Sequence, residues 1–265
     1  MKIAIIGAGN MGGAVARGLA QGSLISTADI YVANPSTAKL EALKAEHPEI
    51  NVTTDNREAA SKADMVVLAV KPWKVQEVVA ELRPHLDYGR QAVGSMVGGL
   101  GMAQLSEWLD KGDGVLPATY LIIPNTAIST LSSMTFIASA HSTQPQDQLL
   151  MDIFGELGEV MMVEEGQMAA GTSLASCGIA YALRYVRAAM EGGVELGFRA
   201  DDAKLIVMQT LRGAVDLLEA TGAHPEAEID RVTTPGGLTI RGLNAMEAAG
   251  FTHSVIEGLR ASTKR

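Results

Sequence analysis

The first apolar run, Ile3–Ile6, is mostly β-branched and ends at a glycine-rich turn, as a short strand does. A small-residue helical pattern follows and closes near Gly22. Residues 29–33 (DIYVA) predict a second strand, Asn34-Pro35-Ser36 punctuates it, and Thr37–His47 has helical character. Residues 65–70 (MVVLAV) are apolar without alternation, the mark of a strand buried on both faces, and Lys71-Pro72 stops it. Beyond it the pattern predicts a helix at Val75–Leu82, a strand at Gln91–Val97 and a helix at Ala103–Leu109. Further strands are predicted at Leu121–Ile123, Met134–Ile137 and Glu159–Val163. Short strands alternating with helices predict an α/β domain with a doubly wound, mostly parallel sheet over residues 1–163.

The texture changes at Glu164. From there to Arg265 no strand is predicted, so residues 164–265 are expected to form an all-helical second domain. Ala170–Leu196 carries apolar residues at helical spacing and closes with Gly197. Asp201-Asp202 starts a helix with acidic residues at its positive end, and it runs to about Ala220. Pro225 opens a short helix, and two more cover Gly236–Ala249 and Thr252–Ser262. Small residues permit close helix packing. The domain reads either as a dimerisation surface or as a cap on its own core.

Composition narrows the class. In 265 residues, 47% are hydrophobic and only 4% aromatic, so the core is aliphatic. A net charge of -9 argues against nucleic acid or an anionic membrane as partner. The single cysteine, Cys177, excludes an intrachain disulfide and suits a reducing compartment. No charged leader or apolar signal region precedes the first strand, and no apolar stretch approaches the ~18 residues of a membrane span. A cytoplasmic protein with a small-molecule substrate is expected.

Gly7-Ala8-Gly9-Asn10-Met11-Gly12 fits G-x-G-x-x-G between a strand and a helix. That context gives each glycine a task. Gly7 makes the tight turn, Gly9 lets backbone approach a pyrophosphate, and Gly12 lets the helix pack close to the strand. The helix N-terminus supplies N–H groups and positive potential. A Rossmann-type dinucleotide-binding domain is therefore predicted. NAD sites usually carry a carboxylate after the second strand; here Asn34, Pro35 and Ser36 stand there, with Lys39 beyond. Nothing repels a 2′-phosphate, so NADPH is favoured and NADH remains possible. Ala69, Val70, Lys71 and Pro72 end a parallel strand at its carboxyl edge, where cofactors lie. Lys71 reads equally as a cofactor contact and as a solvated charge.

Other chemistries lack their residues. His47, His85, His141, His224 and His253 show no metal-ligand spacing, so no metal site is predicted. There is no nucleophile elbow or Walker loop, and Cys177 reads as an inert thiol in a small-residue run. A cofactor loop without an obvious acid–base residue fits a reaction in which the cofactor carries the chemistry.

The segment Asp230–Phe251, DRVTTPGGLTIRGLNAMEAAGF, resembles the signature of pyrroline-5-carboxylate reductases. The glycine-rich start, Ala69-Val70-Lys71-Pro72, Pro124-Asn125-Thr126, Glu164-Glu165 and Glu191-Gly192-Gly193 fall in that family's order. The resemblance implies a helical domain that interlocks two subunits of a homodimer or higher homo-oligomer. It also implies an active site between domains and NAD(P)H-dependent reduction of the cyclic imine 1-pyrroline-5-carboxylate to L-proline, the last step of proline synthesis. By the same resemblance, Thr239 hydrogen-bonds the ring nitrogen, Gly236, Gly237 and Leu238 hold the substrate carboxylate through backbone N–H groups, and Glu165 lies near the ligand or else is an ordinary acidic residue at a helix start. Asn56, read in a polar loop, matches a nucleotide-side asparagine or is an ordinary loop residue.

The chain also departs from the family pattern. Leu121 stands where an Arg is usual, Ala127 for a Pro, Ser176-Cys177-Gly178-Ile179 for Gly-Ser-Gly-Pro, and Arg231 for an Asn. These leave a related imine or 2-oxoacid reductase, or a nucleotide-sensing relative without activity, as alternative expectations. A β-hydroxyacid dehydrogenase would need a lysine on the first long interdomain helix, and none occurs between Lys111 and Lys204.

Overall fold

The computed structural model describes residues 1–263; Lys264 and Arg265, which end the predicted second domain, lie outside the described residues. The chain divides into two compact units, Met1–Ser176 and Cys177–Arg265.

The first unit is an eight-stranded sheet with helices on both faces. Its elements are β1 (Ile3–Ile6), α1 (Asn10–Leu19), β2 (Ile30–Ala33), α2 (Thr37–Glu46), β3 (Asn51–Thr53), α3 (Asn56–Lys62), β4 (Met65–Leu68), α4 (Val75–Leu82), β5 (Ala92–Ser95), α5 (Met102–Leu109), β6 (Thr119–Ile123), β7 (Ser133–Ala140), α6 (Gln144–Gly155), β8 (Gly158–Met162) and α7 (Met168–Gly171). Strand order is β3-β2-β1-β4-β5-β6-β7-β8. The run from β3 to β6 is parallel; β7 pairs antiparallel with β6, and β8 parallel with β7.

The lack of alternation in the central strands has a direct cause. Ile3 and Ile5 of β1 join Met65 and Val67 of β4 in one core, under α1, α2 and α6, while Ala4 and Ile6 join Val66 and Leu68 in the opposite core, under α3, α4, α5 and α7. Both faces are dry, so every position is apolar. At the amino edge, the Lys2 N–H donates to the Asp64 carboxylate at 2.8 Å and Arg90 Nη1 lies 2.8 Å from its other oxygen. Together these contacts hold Asp64 below the usual carboxylate range.

Three elements escape the hydrophobic pattern. β3 is a short edge strand of half-buried residues. Asn56 lies at the first position of α3 and not in a loop, with the Asp55 carboxylate accepting from the Arg57 and Glu58 N–H groups. α3 buries only Ala59 and Ala60, too little apolar area to register as a periodic stripe. α6 announces itself by chemistry: Thr143 and Gln146 form a capping box ahead of its buried Leu150, Ile153 and Phe154.

The boundary differs from the predicted one after residue 163. Residues 164–176 contain no strand, yet they pack on the sheet. Met168 is buried in the second core, and a Cβ on Gly171 would come within 2.8 Å of the Phe136 ring. Ser176 Oγ donates to the Pro124 carbonyl at 3.0 Å. Loss of strands marks the end of the sheet, not the end of the unit.

The second unit contains α8 (Gly178–Glu195), α9 (Ala200–Thr221), α10 (Pro225–Val232), α11 (Leu238–Ala248) and α12 (Phe251–Thr263). The predicted continuous helix over Ala170–Leu196 is interrupted, because a π-helical turn at Thr172–Cys177 separates α7 from α8. α8 and α9 pack closely where Gly193 meets Ala203: a Cβ on Gly193 would sit 3.0 Å from the Ala203 methyl. Among the unit's described residues only Ala203 is fully buried, while Leu183, Leu196, Leu205 and Leu217 are exposed.

Candidate active site

The turn between β1 and α1 is shaped by its glycines. Gly7 has φ +112°, and its N–H donates to the Ala33 carbonyl at 2.8 Å. A Cβ there would lie 2.6 Å from the Ala69 carbonyl oxygen. A Cβ on Gly12 would lie 1.9 Å from the Gly7 oxygen and 2.9 Å from the Ala69 methyl, so α1 approaches β1 and β4 as only glycine permits. Gly9 differs: a Cβ there meets nothing within 4 Å. Its glycine leaves open space where backbone can touch a ligand. Gly9 also caps α1 without any side-chain bond, so the first-turn N–H groups around Asn10, Met11 and Gly12 keep no side-chain acceptor. An anionic pyrophosphate matches these donors.

At the end of β2 the predicted residues divide. Asn34 is 7% exposed; its Oδ1 accepts from the Ala8 N–H at 2.9 Å and its Nδ2 donates to the Ser36 carbonyl at 3.2 Å. Its side chain therefore braces the glycine turn from inside. Pro35 and Ser36 are exposed, and Ser36 caps α2 without a side-chain bond. The first turn of α2 holds no acidic residue, and Lys39 is exposed beside it. Asn56 Nδ2 donates to Glu81 Oε2 at 3.0 Å. After β4, the Ala69 N–H donates to the Ile6 carbonyl at 2.8 Å, Val70 is half-buried, and Lys71 and Pro72 are exposed. Since β2, β1 and β4 are adjacent and parallel, all these carboxyl-end residues share one edge. Strand order reverses between β1 and β4, the position where open α/β sheets bind ligands.

Two neighbouring segments of that edge were not singled out as cofactor residues. After β5, Ser95 is buried and its Oγ accepts from the Val97 N–H at 3.2 Å. Gly98 and Gly99 follow, Gly99 with φ +79°. The available signal was a second glycine pair after an apolar strand. After β6, Asn125 is buried, with Oδ1 accepting from the Ala127 N–H at 3.0 Å and its own N–H donating to Ser133 Oγ at 3.2 Å.

Glu165 lies in the first unit just past β8. Its Oε1 accepts from the Met102 N–H, the first residue of α5, at 2.6 Å. In the second unit, Pro235-Gly236-Gly237 leads into α11. Gly236 has φ +70°, and the Gly237 N–H donates to the Thr234 carbonyl at 2.9 Å. No side chain caps α11, and its first turn holds no acidic residue. Leu238 is 85% exposed and Thr239 is also exposed. The turn thus presents helix N–H donors beside a hydroxyl, an arrangement that accepts a carboxylate next to a hydrogen-bonding ring atom. Among the departures, Leu121 is buried in β6, Cys177 is a half-buried free thiol, and Arg231 pairs with Glu228 at 2.7 Å.

Comparison with known proteins converges on one family. Residues 165–265 match a family described as "Pyrroline-5-carboxylate reductase dimerisation", and residues 2–96 match "NADP oxidoreductase coenzyme F420-dependent". The chain is 35% identical to pyrroline-5-carboxylate reductase 1 of Dictyostelium discoideum over 99% of its own length, spanning 49% of that longer relative. It is 36% identical to reductase 2 of the same organism, covering 100% of this chain and 91% of the relative. A crystal structure of Plasmodium falciparum pyrroline carboxylate reductase with NADP bound superimposes with TM-score 0.89 at 25% identity, over 99% of this chain and 95% of that one. The Rossmann-type sheet, the uncapped glycine turn before α1 and the Thr-Pro-Gly-Gly-Leu-Thr helix start occur in one chain with these full-length likenesses, and the chain belongs to the pyrroline-5-carboxylate reductase family.

Proposed function

We infer that this chain reduces 1-pyrroline-5-carboxylate to L-proline with NADPH. The observation that carries the reading is that each unit has an uncapped, glycine-opened helix start: α1, opened by the Gly7–Gly12 turn, in the first, and α11, opened by Gly236-Gly237, in the second. The first fits a dinucleotide pyrophosphate and the second a small carboxylate. Gly7, Ala8, Gly9, Asn10, Met11 and Gly12 would hold the pyrophosphate. Pro35 and Ser36, on a turn braced by Asn34, would face the adenosine ribose, and Asn56 and Ala69–Pro72 complete that edge. The absence of a carboxylate after β2 and the NADP bound to the Plasmodium relative both favour NADPH over NADH.

When bound, NADPH supplies hydride from C4 of its dihydronicotinamide. The protein's part is orientation. Backbone N–H groups at Gly236 and Leu238 hold the substrate carboxylate, while the Gly237 N–H, bonded to the Thr234 carbonyl, closes the turn that carries them. The Thr239 hydroxyl hydrogen-bonds the ring nitrogen and fixes which face of the C=N bond is presented. An alcohol is a poor acid near neutral pH, so Thr239 orients the imine without serving as an obligatory proton source. By the family resemblance Glu165 is assigned to the substrate, where its second carboxylate oxygen would favour the cationic ring.

A second copy of the chain covers the apolar surface of α8–α12. The exposed leucines of that unit support this, as does the dimerisation family matched by residues 165–265. Cys177 as a free thiol suits a cytoplasmic setting. No described helix is long and apolar enough to cross a membrane.

The test is a kcat/KM series with NADPH and with NADH across pyrroline-5-carboxylate, unsubstituted pyrroline and a six-membered cyclic imine carboxylate. The reading expects the five-membered carboxylate to win by at least about tenfold with NADPH. Equal rates with unsubstituted pyrroline would remove the role of the α11 turn, and a clear NADH preference would overturn the cofactor assignment.

A further inference from the structure

Fixing a glycine-rich segment is entropically expensive, because glycine has the most backbone freedom to lose. Residues 98–101 read Gly-Gly-Leu-Gly and connect the carboxyl end of β5 to α5. The adenosine half of the cofactor is assigned to the ends of β1 and β2, so its nicotinamide half extends over β4 and β5. The Gly98–Gly101 segment therefore borders the reacting end of the cofactor.

Its far end is tied by one side chain from a remote part of the chain. Glu165 Oε1 accepts the Met102 N–H at 2.6 Å and so caps α5 in place of the N-cap residue, Gly101, which has no side chain to do it. The fit is close, since a Cβ on Gly101 would stand 3.3 Å from that same oxygen. Glu165 is itself held. Glu164 and Gln167 form a reciprocal capping box around it, with the Glu164 N–H donating to Gln167 Oε1 at 3.2 Å. Met168, next in the chain, is buried in the core that also holds Met102. A rigid, anchored turn thus presents a carboxylate to the start of a glycine-rich loop.

We propose that Glu165 is a positioning residue: by capping α5 it holds the Gly98–Gly101 loop in the conformation that receives the nicotinamide end of NADPH. This rests on the reductase reading above for the identity of the ligand. The capping role needs a hydrogen-bond acceptor at this position, not a negative charge as such.

The experiment compares Glu165→Gln, Glu165→Ala and Gly101→Ala in the full chain. Amide hydrogen exchange across Gly98–Met102 and NADPH affinity by fluorescence titration are measured without any imine, followed by KM and kcat for pyrroline-5-carboxylate. Glu165→Ala should speed exchange at Leu100–Met102 and weaken NADPH binding by about tenfold, the scale of one charge-assisted hydrogen bond. Glu165→Gln, whose amide oxygen still accepts, should stay within about threefold of wild type in both readouts. Gly101→Ala, which crowds the same contact from the other side, should move both in the direction of Glu165→Ala. Should Glu165→Ala not fold, the Gln and Gly101 variants carry the same comparison. The proposal is overturned if exchange and NADPH affinity are unchanged in Glu165→Ala. It is equally overturned if Gln and Ala both raise only the KM for the imine, for then the charge matters and the cap does not. Because the first two readouts need no imine, a wrong substrate assignment leaves them intact and shows instead as absent turnover in the wild type.

Discussion

Thr239 has the smallest assigned task and the clearest consequence. A single neutral hydrogen bond contributes about 0.5–1.5 kcal/mol, and up to about 3 when a buried partner is left unpaired. Thr239→Val keeps the shape and removes the hydroxyl, so kcat/KM for the imine should fall by roughly 2- to 150-fold while NADPH affinity holds. Steady-state kinetics with both ligands varied reads this directly; wild-type kcat/KM would show that the hydroxyl has no such role. The residue scale also shows internal contacts that sequence reasoning did not reveal. Asn34 was read as a cofactor contact, but its amide is used inside the protein, bonded to the Ala8 N–H and the Ser36 carbonyl. Position after β2 identifies which residues end the strand, and only the fold tells which of them turn inward. Glu165 was assigned to the ligand, and its bond to Met102, 63 residues away, leaves no trace in local pattern.

Elements were legible in proportion to the apolar area they bury. β1 and β4, dry on both faces, read plainly as unbroken apolar runs, and α4 as a regular stripe of Val75, Val78, Val79 and Leu82. β3 and α3 bury little and are held by hydrogen bonds and the Asp55 cap, so the hydrophobic pattern passes over them. The packing of α1 yields a prediction that separates scaffold from ligand site. Gly12→Ala forces a methyl into the Gly7 carbonyl and should destabilise the first unit by about 1–3 kcal/mol, since α1 must move away from β1. Gly9→Ala meets only open space, so stability should hold while NADPH affinity drops by roughly tenfold or more. Denaturant unfolding beside cofactor titration distinguishes them. Equal stability loss in both variants would deny that the space at Gly9 is kept for the ligand.

For the whole molecule, the second unit buries almost none of the apolar side chains among its described residues within one chain. Burial stabilises by roughly 25 cal/mol per Å² of apolar surface, so a second copy has much to gain there. Sedimentation equilibrium should find a dimer or a larger closed assembly; a stable, active monomer would contradict this. The α/β and helical halves were both visible from where strands stop. The unit boundary fell later in the chain because residues 164–176 pack on the sheet without adding a strand to it. Hydride delivery to a cyclic imine leaves an isotopic label in the product. With NADPH carrying deuterium at both C4 positions and pyrroline-5-carboxylate as acceptor, the proline formed should bear one deuterium at ring carbon 5 for each cofactor oxidised. Proline without deuterium, or cofactor oxidation without proline, would contradict it.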